Sequence, residues 1–287
     1  MRCILLVCLL AFALVHGQEQ VIPEKDTRQH IVHKVVAITG PETLGPAEVS
    51  VAINPVQPDQ IRVVSYTLRG TLLGASEDGG ITWHNTPFPQ PGNTRQQGDD
   101  LLAYGPDGTL YHACIRFVGI RTNRPKRAEN GIFVHRFRDG EWSTAVPVID
   151  HINTVAPFED KPWLAIDGTN KPSRGNVYVA WTRFDESGSK DPEKKSYLYF
   201  AHSTNQAQSF HPGIRISDVS GDCLDSGNTL MGGMPAVGPE GQIYVVWSGP
   251  EGIMLDRSID AGLSCGKDIL ISKHPGGWDQ AVDGVMR

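Results

Sequence analysis

The chain lacks a second long apolar run, a basic field, an N-glycosylation sequon and helical periodicity, and each absence narrows what it can be. Beyond the apolar run from Cys3 to Val15, no segment approaches the ~20 consecutive apolar residues of a membrane-crossing helix, so no membrane span is expected. Lys and Arg number 26 against 32 Asp and Glu, a net charge of −6. Such a chain carries no positive field for a polyanion, which argues against nucleic acid as a partner. No Asn-x-Ser/Thr triplet occurs, so N-glycosylation is not expected. Of five cysteines, Cys3 and Cys8 lie in the apolar start; Cys114, Cys223 and Cys265 remain, an odd number that cannot all pair within the chain. Cys114 sits in a strand-like run and reads as a buried apolar residue.

What is present starts with Met1-Arg2, the apolar core to Val15, and His16-Gly17. A charged start, an apolar core of this length and a small residue at the exit make residues 1–17 a secretory signal peptide, followed by a linker over 18–32. The expected location is secreted or extracellular, or periplasmic in a bacterium. The 31 Gly and 20 Pro suit many short strands and turns rather than helices.

The most informative stretch is Ser76-Glu77-Asp78-Gly79-Gly80-Ile81-Thr82-Trp83, the pattern S-x-D-x-G-x-T-W, after the strand-like Leu72-Leu73-Gly74-Ala75. Asp78 can accept backbone N–H bonds in a tight turn, and Gly80 can supply a positive φ. Ser76 and Thr82 can bond across the turn, and Trp83 gives the returning strand an apolar face. Ser203 to Phe210 keeps the Ser, an Asp-like Asn205, a hydroxyl and the aromatic. Ser258-Ile259-Asp260-Ala261-Gly262-Leu263-Ser264-Cys265 keeps all but the aromatic, and Arg138 to Trp142 is a shortened version. Trp83, Trp142, Phe210 and Cys265 are spaced by 59, 68 and 55 residues. This pattern resembles the Asp box, or BNR repeat, of sialidase-like β-propellers.

The intervening sequence repeats as well. Runs ending at Asn54-Pro55, Gly105-Pro106-Asp107-Gly108, Asp167-Gly168 and Gly238-Pro239-Glu240-Gly241 each precede a β-branched, aromatic strand. The fold class is therefore all-β, a propeller of four-stranded antiparallel blades over 33–287, with blades near 48–88, 99–150, 160–217 and 233–272. His33 to Thr39 reads as a further fourth strand of the kind that closes a propeller. Together with the start of something further after Lys273, it gives the expectation that four blades here belong to a ring that is six-bladed when complete.

In such a meander the entry to the inner strand and the loop after the second strand share one face, and the S-x-D-x-G turns lie on the other. Ser76, Asp78, Gly80, Thr82, Trp83, Ser258, Asp260 and Gly262 are thus structural. The loop-rich face collects Asp99, Asp100, Glu159, Asp160, Lys161, Tyr66, Arg116 and Arg183. The sialidase resemblance implies an Asp general acid/base and arginines for a sugar carboxylate. On that implication Asp100 and Asp160 are the catalytic candidates, and Arg116, Arg183, Lys161 and Tyr66 the substrate-binding ones. An Arg at a strand end beside an Asp also suits an inter-blade ion pair. The family's Arg-Ile-Pro motif is absent, since Arg215-Ile216 is followed by Ser217.

Two functions stay open: a secreted sialidase-like glycoside hydrolase, or its N-terminal portion, cleaving terminal acidic sugars from glycans, and a non-catalytic propeller binding a glycan or protein through its loop-rich face. The partner is a glycan or glycoconjugate and the chain a monomer. No cofactor and no defined metal site are expected, although the Asp222 to Asp225 loop could hold calcium.

Overall fold

The computed structural model describes residues 35–40, 43, 45–89, 95–119 and 127–274. The expected signal peptide and linker and the Arg-rich stretch 120–126 lie outside the described residues. Among those described there is no helix, and none long and apolar enough to cross a membrane.

Four antiparallel sheets follow one another along the chain. The first is β1 (Ala47–Ile53), β2 (Ile61–Thr67), β3 (Gly70–Ser76) and β4 (His84–Pro87). The second is β5 (Gln96–Tyr104), β6 (Leu110–Val118), β7 (Glu129–Arg138), β8 (Glu141–Trp142) and β9 (Val146–Ile152). The third is β10 (Phe158–Ile166), β11 (Val177–Phe184), β12 (Ser196–Ser203) and β13 (Ile214–Arg215), and the fourth β14 (Met231–Val237), β15 (Ile243–Gly249), β16 (Gly252–Ser258) and β17 (Ile269–Ser272). The first, third and fourth sheets are simple meanders, and the inner strands β1, β5, β10 and β14 lie side by side in chain order. The fold is a β-propeller, with four blades among the described residues.

In the second blade the outer strand is split. Asp139 (φ 53°) and Gly140 (φ 85°) make a two-residue hairpin between β7 and β8, and β9 then pairs with the rest of β7. In the other three blades the corresponding turn is wired by one hydrogen-bond pattern. Ser76 Oγ donates to Asp78 Oδ1 at 2.8 Å and accepts from Gly80 N at 2.9 Å; Asp78 also accepts from Thr82 N at 2.9 Å and Thr82 Oγ1 at 2.6 Å. Ser258, Asp260, Gly262 and Ser264 repeat this. In the third blade Asn205 replaces the acid, accepting from Ser209 N at 3.0 Å and donating Nδ2 to Ser209 Oγ at 2.8 Å. In the first blade the turn between β1 and β2 lies beside the Asp78 turn, since Gly79 N donates to Asp59 O at 2.9 Å.

The seams between blades differ. Between the second and third, Ala113, Ile115, Ile132 and Val134 meet Val177, Val179 and Trp181; between the third and fourth, Tyr178, Leu198 and Phe200 meet Ile243, Val245 and Trp247. Each Val, Leu, Ile or Phe among them contributes roughly 1.5–3 kcal/mol on full burial. Between the first and second, the apolar group is small (Ala52, Val64, Phe88, Leu102, Leu110). Leu73, Tyr104, Phe137 and Trp142 pack against it partly buried, and the seam also holds buried polar side chains: Thr71, Asp100, His112, Arg116 and His135.

The expected closing strand at His33 to Thr39 is corrected: residues 35–39 are described and form no strand. Ile38 instead lies over Gly74, where a side chain would leave no room, and its carbonyl accepts from Asn85 Nδ2 of β4.

Candidate functional site

Every inner strand carries a bulge at the same place. The register shifts between Ala47 and Ser50, Gly98 and Leu101, Asp160 and Trp163, and Met231 and Met234. Each bulge puts one residue at positive φ: Glu48 (51°), Asp99 (50°), Lys161 (48°) and Gly232 (73°). Glycine is what the backbone alone would favour there, and it stands in only one blade. The other three carry charged side chains on a conformation that disfavours any Cβ. The same strained position thus carries a charged side chain in three of the four blades.

Those residues line one cavity of about 460 Å³ between the inner strands, with Val49, Trp163 and Met231 supplying apolar wall. Lys161 Nζ donates to Glu48 Oε1 at 2.8 Å and to Asp99 Oδ1, joining the first and second blades to the third. Asp99 also shares a hydrogen bond with Asp160. Burial, then the Asp99 charge beside it, pushes the Asp160 carboxyl well above the usual carboxylate range, to about 8. Burial raises Asp99 too, though Lys161 pulls it back. Burial works against the Lys161 ammonium, but Asp99 and Glu48 more than offset it and its pKa lies above the ordinary value. The arrangement can hold a proton on a carboxyl near neutral pH, which is what a general acid needs. Trp163, 37 % exposed on the wall, offers an apolar ring face.

The sequence-derived candidates divide among four places. Lys161 lines the cavity, and Asp160 stands just before it, against Asp99, without lining the cavity itself. Asp100 does not present its carboxylate there: the group is sealed in the polar seam, accepting from Thr71 Oγ1 at 2.7 Å and Gln97 Nε2 at 2.6 Å, with His112 Nε2 2.7 Å away. Arg116 lies in the same seam, 2 % exposed, against His135 Nε2 and 5.6 Å from the Phe133 ring centroid. Burial holds His135 neutral, its pKa lowered to about 3, and its Nδ1 faces the Ser143 carbonyl at 3.0 Å. Arg183 is held by the fully buried Glu159 at 2.7 Å and lies 3.8 Å from the Tyr199 ring centroid, an ion pair within one blade. Glu159 also takes Trp181 Nε1 at 2.6 Å and His151 Nε2 at 2.7 Å. Tyr66 is exposed at the end of β2, away from the cavity wall. In the Asp222 to Asp225 loop, Asp222 accepts from Ser226 Oγ and Thr229 Oγ1, both at 2.6 Å, and so serves the loop itself. Glu48 and Trp163 were not among the sequence candidates; counting five residues back from Ile53, Tyr104, Ile166 and Val237 puts Glu48, Asp99, Lys161 and Gly232 in one column.

No protein-family model matches the sequence, and no curated protein matches it. Solved structures do share the fold. A protein of unknown function from Dyadobacter fermentans superposes with a TM-score of 0.59 at 15% identity, covering 82% of this chain and 71% of that one. A Penicillium chrysogenum α-L-arabinanase complexed with arabinobiose gives 0.53 at 11% identity, over 76% of this chain and 64% of that one. A leech intramolecular trans-sialidase gives 0.53 at 11% identity, over 84% and 54%. The chain thus spans less than two thirds of the length of the latter two. The shared property is the sialidase-like, glycosidase-type propeller fold.

Proposed function

We propose that this chain is a secreted glycoside hydrolase, or the part of one that carries the acid, with its chemistry at the inner-strand cavity. The observation that carries the reading is the Asp99–Asp160 carboxyl pair beside the cavity, in which Asp99 lines the cavity from its positive-φ bulge and Asp160 precedes the next one. Asp160, protonated at neutral pH, is the general acid that protonates the leaving glycosidic oxygen. Asp99 holds that proton in place, and Lys161 keeps Asp99 ionised. Glu48, across the cavity on the first blade, is the carboxylate suited to act on the other side of the sugar. Trp163 offers a face for the apolar side of a sugar ring. The substrate class proposed from the sequence is a glycan ending in an acidic sugar; the propeller fold common to a trans-sialidase and an arabinanase supports a glycoside.

Release of fluorophore from a panel of sialosides, arabinofuranosides and neutral pyranosides, by the chain and by Asp160→Asn, tests this. Activity on one member that is lost in the variant supports it. Activity unchanged by the substitution sinks it.

A second reading, glycan binding without cleavage, is favoured by Lys161 engaging Glu48 and Asp99 at once, which occupies two of the carboxylates. Saturable binding of a glycan by calorimetry, with no turnover across the panel, would select it. The expected secretion is checked by N-terminal sequencing of protein recovered from the medium, which should begin after residue 17.

A further inference from the structure

The seam between the first two blades holds a second group of reactive side chains that the cavity chemistry does not use. Asp100, His112 and Cys114 each offer a ligand atom, oxygen, nitrogen and sulfur, and these atoms lie within 4.8 Å of one another, all buried. His112 and Cys114 stand two residues apart on β6, so strand alternation turns them to one face; Asp100 arrives from β5. The ring of His112 is held on one side only: Nε2 meets Asp100 at 2.7 Å, and the buried Nδ1 has no hydrogen-bond partner.

We propose that Asp100, His112 and Cys114 form a transition-metal site, best suited to zinc, that staples the first blade to the second. Carboxylate, imidazole and thiolate are all zinc donors, and the thiolate selects against magnesium and calcium. Bonds of ~2.0–2.1 Å at a tetrahedral angle space nitrogen and oxygen by ~3.3 Å, so the 2.7 Å contact between His112 and Asp100 opens by about half an ångström on loading. Thr71 and Gln97, bonded to Asp100, are the outer partners that orient the carboxylate. Burial pushes the Cys114 thiol up, with Arg116 alone pulling the other way through charge and a hydrogen bond among the nearby groups. A divalent cation beside it changes that balance: the zinc–sulfur bond forms and the thiol proton leaves to solvent. Three protein donors leave a tetrahedral ion one further position, for water. Because the site is sealed, the ion enters as the blades fold together. It would supply to this seam what apolar packing supplies to the others.

The test refolds the full chain from denaturant with either zinc chloride or a chelator, removes free metal, and measures bound zinc by elemental analysis alongside the melting temperature. About one zinc per chain is expected after refolding with zinc, with a higher melting temperature than the chelated protein and at least ~tenfold less zinc retained in Cys114→Ser. Refolding with cobalt should give a thiolate-to-metal charge-transfer band that Cys114→Ser abolishes. Zinc content below about a tenth of an equivalent in the wild type, or content unchanged by both Cys114→Ser and His112→Gln, overturns the proposal. Should the variants fail to fold, the wild-type cobalt spectrum decides: no thiolate band, no site.

Discussion

Aspartate is used in opposite ways at the two ends of the blades. Beside the cavity, Asp160 is partly buried, faces a second carboxyl, and keeps its proton to about pH 8. At the far rim, the donors of a tight turn surround the acid. Thr82 first, through its hydroxyl and its N–H, with Ser76 and Ile81, lowers Asp78 to about 2. Burial would raise Asp260, but Ser264 and Ser258 outweigh it and bring that group to about 2 as well. Residue type is the same; the count of donors against the loss of solvent decides the charge. An acid ringed by N–H and O–H donors is structural, whereas one ringed by its own kind stores a transferable proton.

Substitutions can break this contrast, and the largest effect belongs to the cavity. Asp160→Asn should lower glycoside turnover by about 10²–10⁴-fold, while Asp78→Asn leaves it within about twofold because that turn touches no substrate; equal losses in both would erase the distinction between the ends. Next comes pH. The raised Asp160 carboxyl favours the folded state below its unfolded pKa near ~4, and that contribution is lost as pH rises through the folded value of about 8. The lowered Asp78 and Asp260 contribute above ~4, and their contribution is lost as pH falls toward the folded value of about 2. Melting temperature against pH should therefore fall on both sides, and Asp160→Asn should flatten only the alkaline limb. A variant whose alkaline limb matches the wild type would mean that Asp160 does not hold its proton.

Smaller effects sharpen the rim. Asp260→Ala removes the acceptor for Ser258, Ser264 Oγ and Ser264 N, and should cost about 1–2 kcal/mol in denaturant unfolding, the size of a lost cap. Gly232→Ala meets no atom within 4 Å, so only its φ of 73° opposes it; a cost of about 1 kcal/mol is expected from that strain, and none at all would mean the bulge relaxes freely. Smallest is Glu77→Gln, which removes an exposed partner of Arg62 and should change stability by less than about 0.5 kcal/mol.

The rim was legible because its chemistry is local. Eight consecutive residues carry all the donors and acceptors of the turn, so Ser76 to Trp83 could be read as a hairpin, and the third blade tolerates Asn205 because an amide fills the same geometry. The cavity was legible only in part. Asp160 and Lys161 were found as charges before an inner strand, but Asp100 was chosen beside Asp99, and a strand turns successive side chains to opposite faces. Both residues border the cavity, but the bulge decides where the carboxylates go: Asp99 meets Lys161, and the Asp100 group is folded into the seam. Arg116 and Arg183 sit in matching contexts because they occupy matching places, each beside its own partner in the blade. Glu48 was missed because its neighbour, Lys161, is 113 residues away.

By itself the sequence determined the strands, the turns and their repetition, since turn bonds and alternating burial act within a few residues. The tertiary structure decided which charged groups meet, because converging four inner strands sets distances and removes water at the same time. That loss of solvent keeps a proton on Asp160 and hides Asp100 with His112 and Cys114, and no short stretch of the chain contains it.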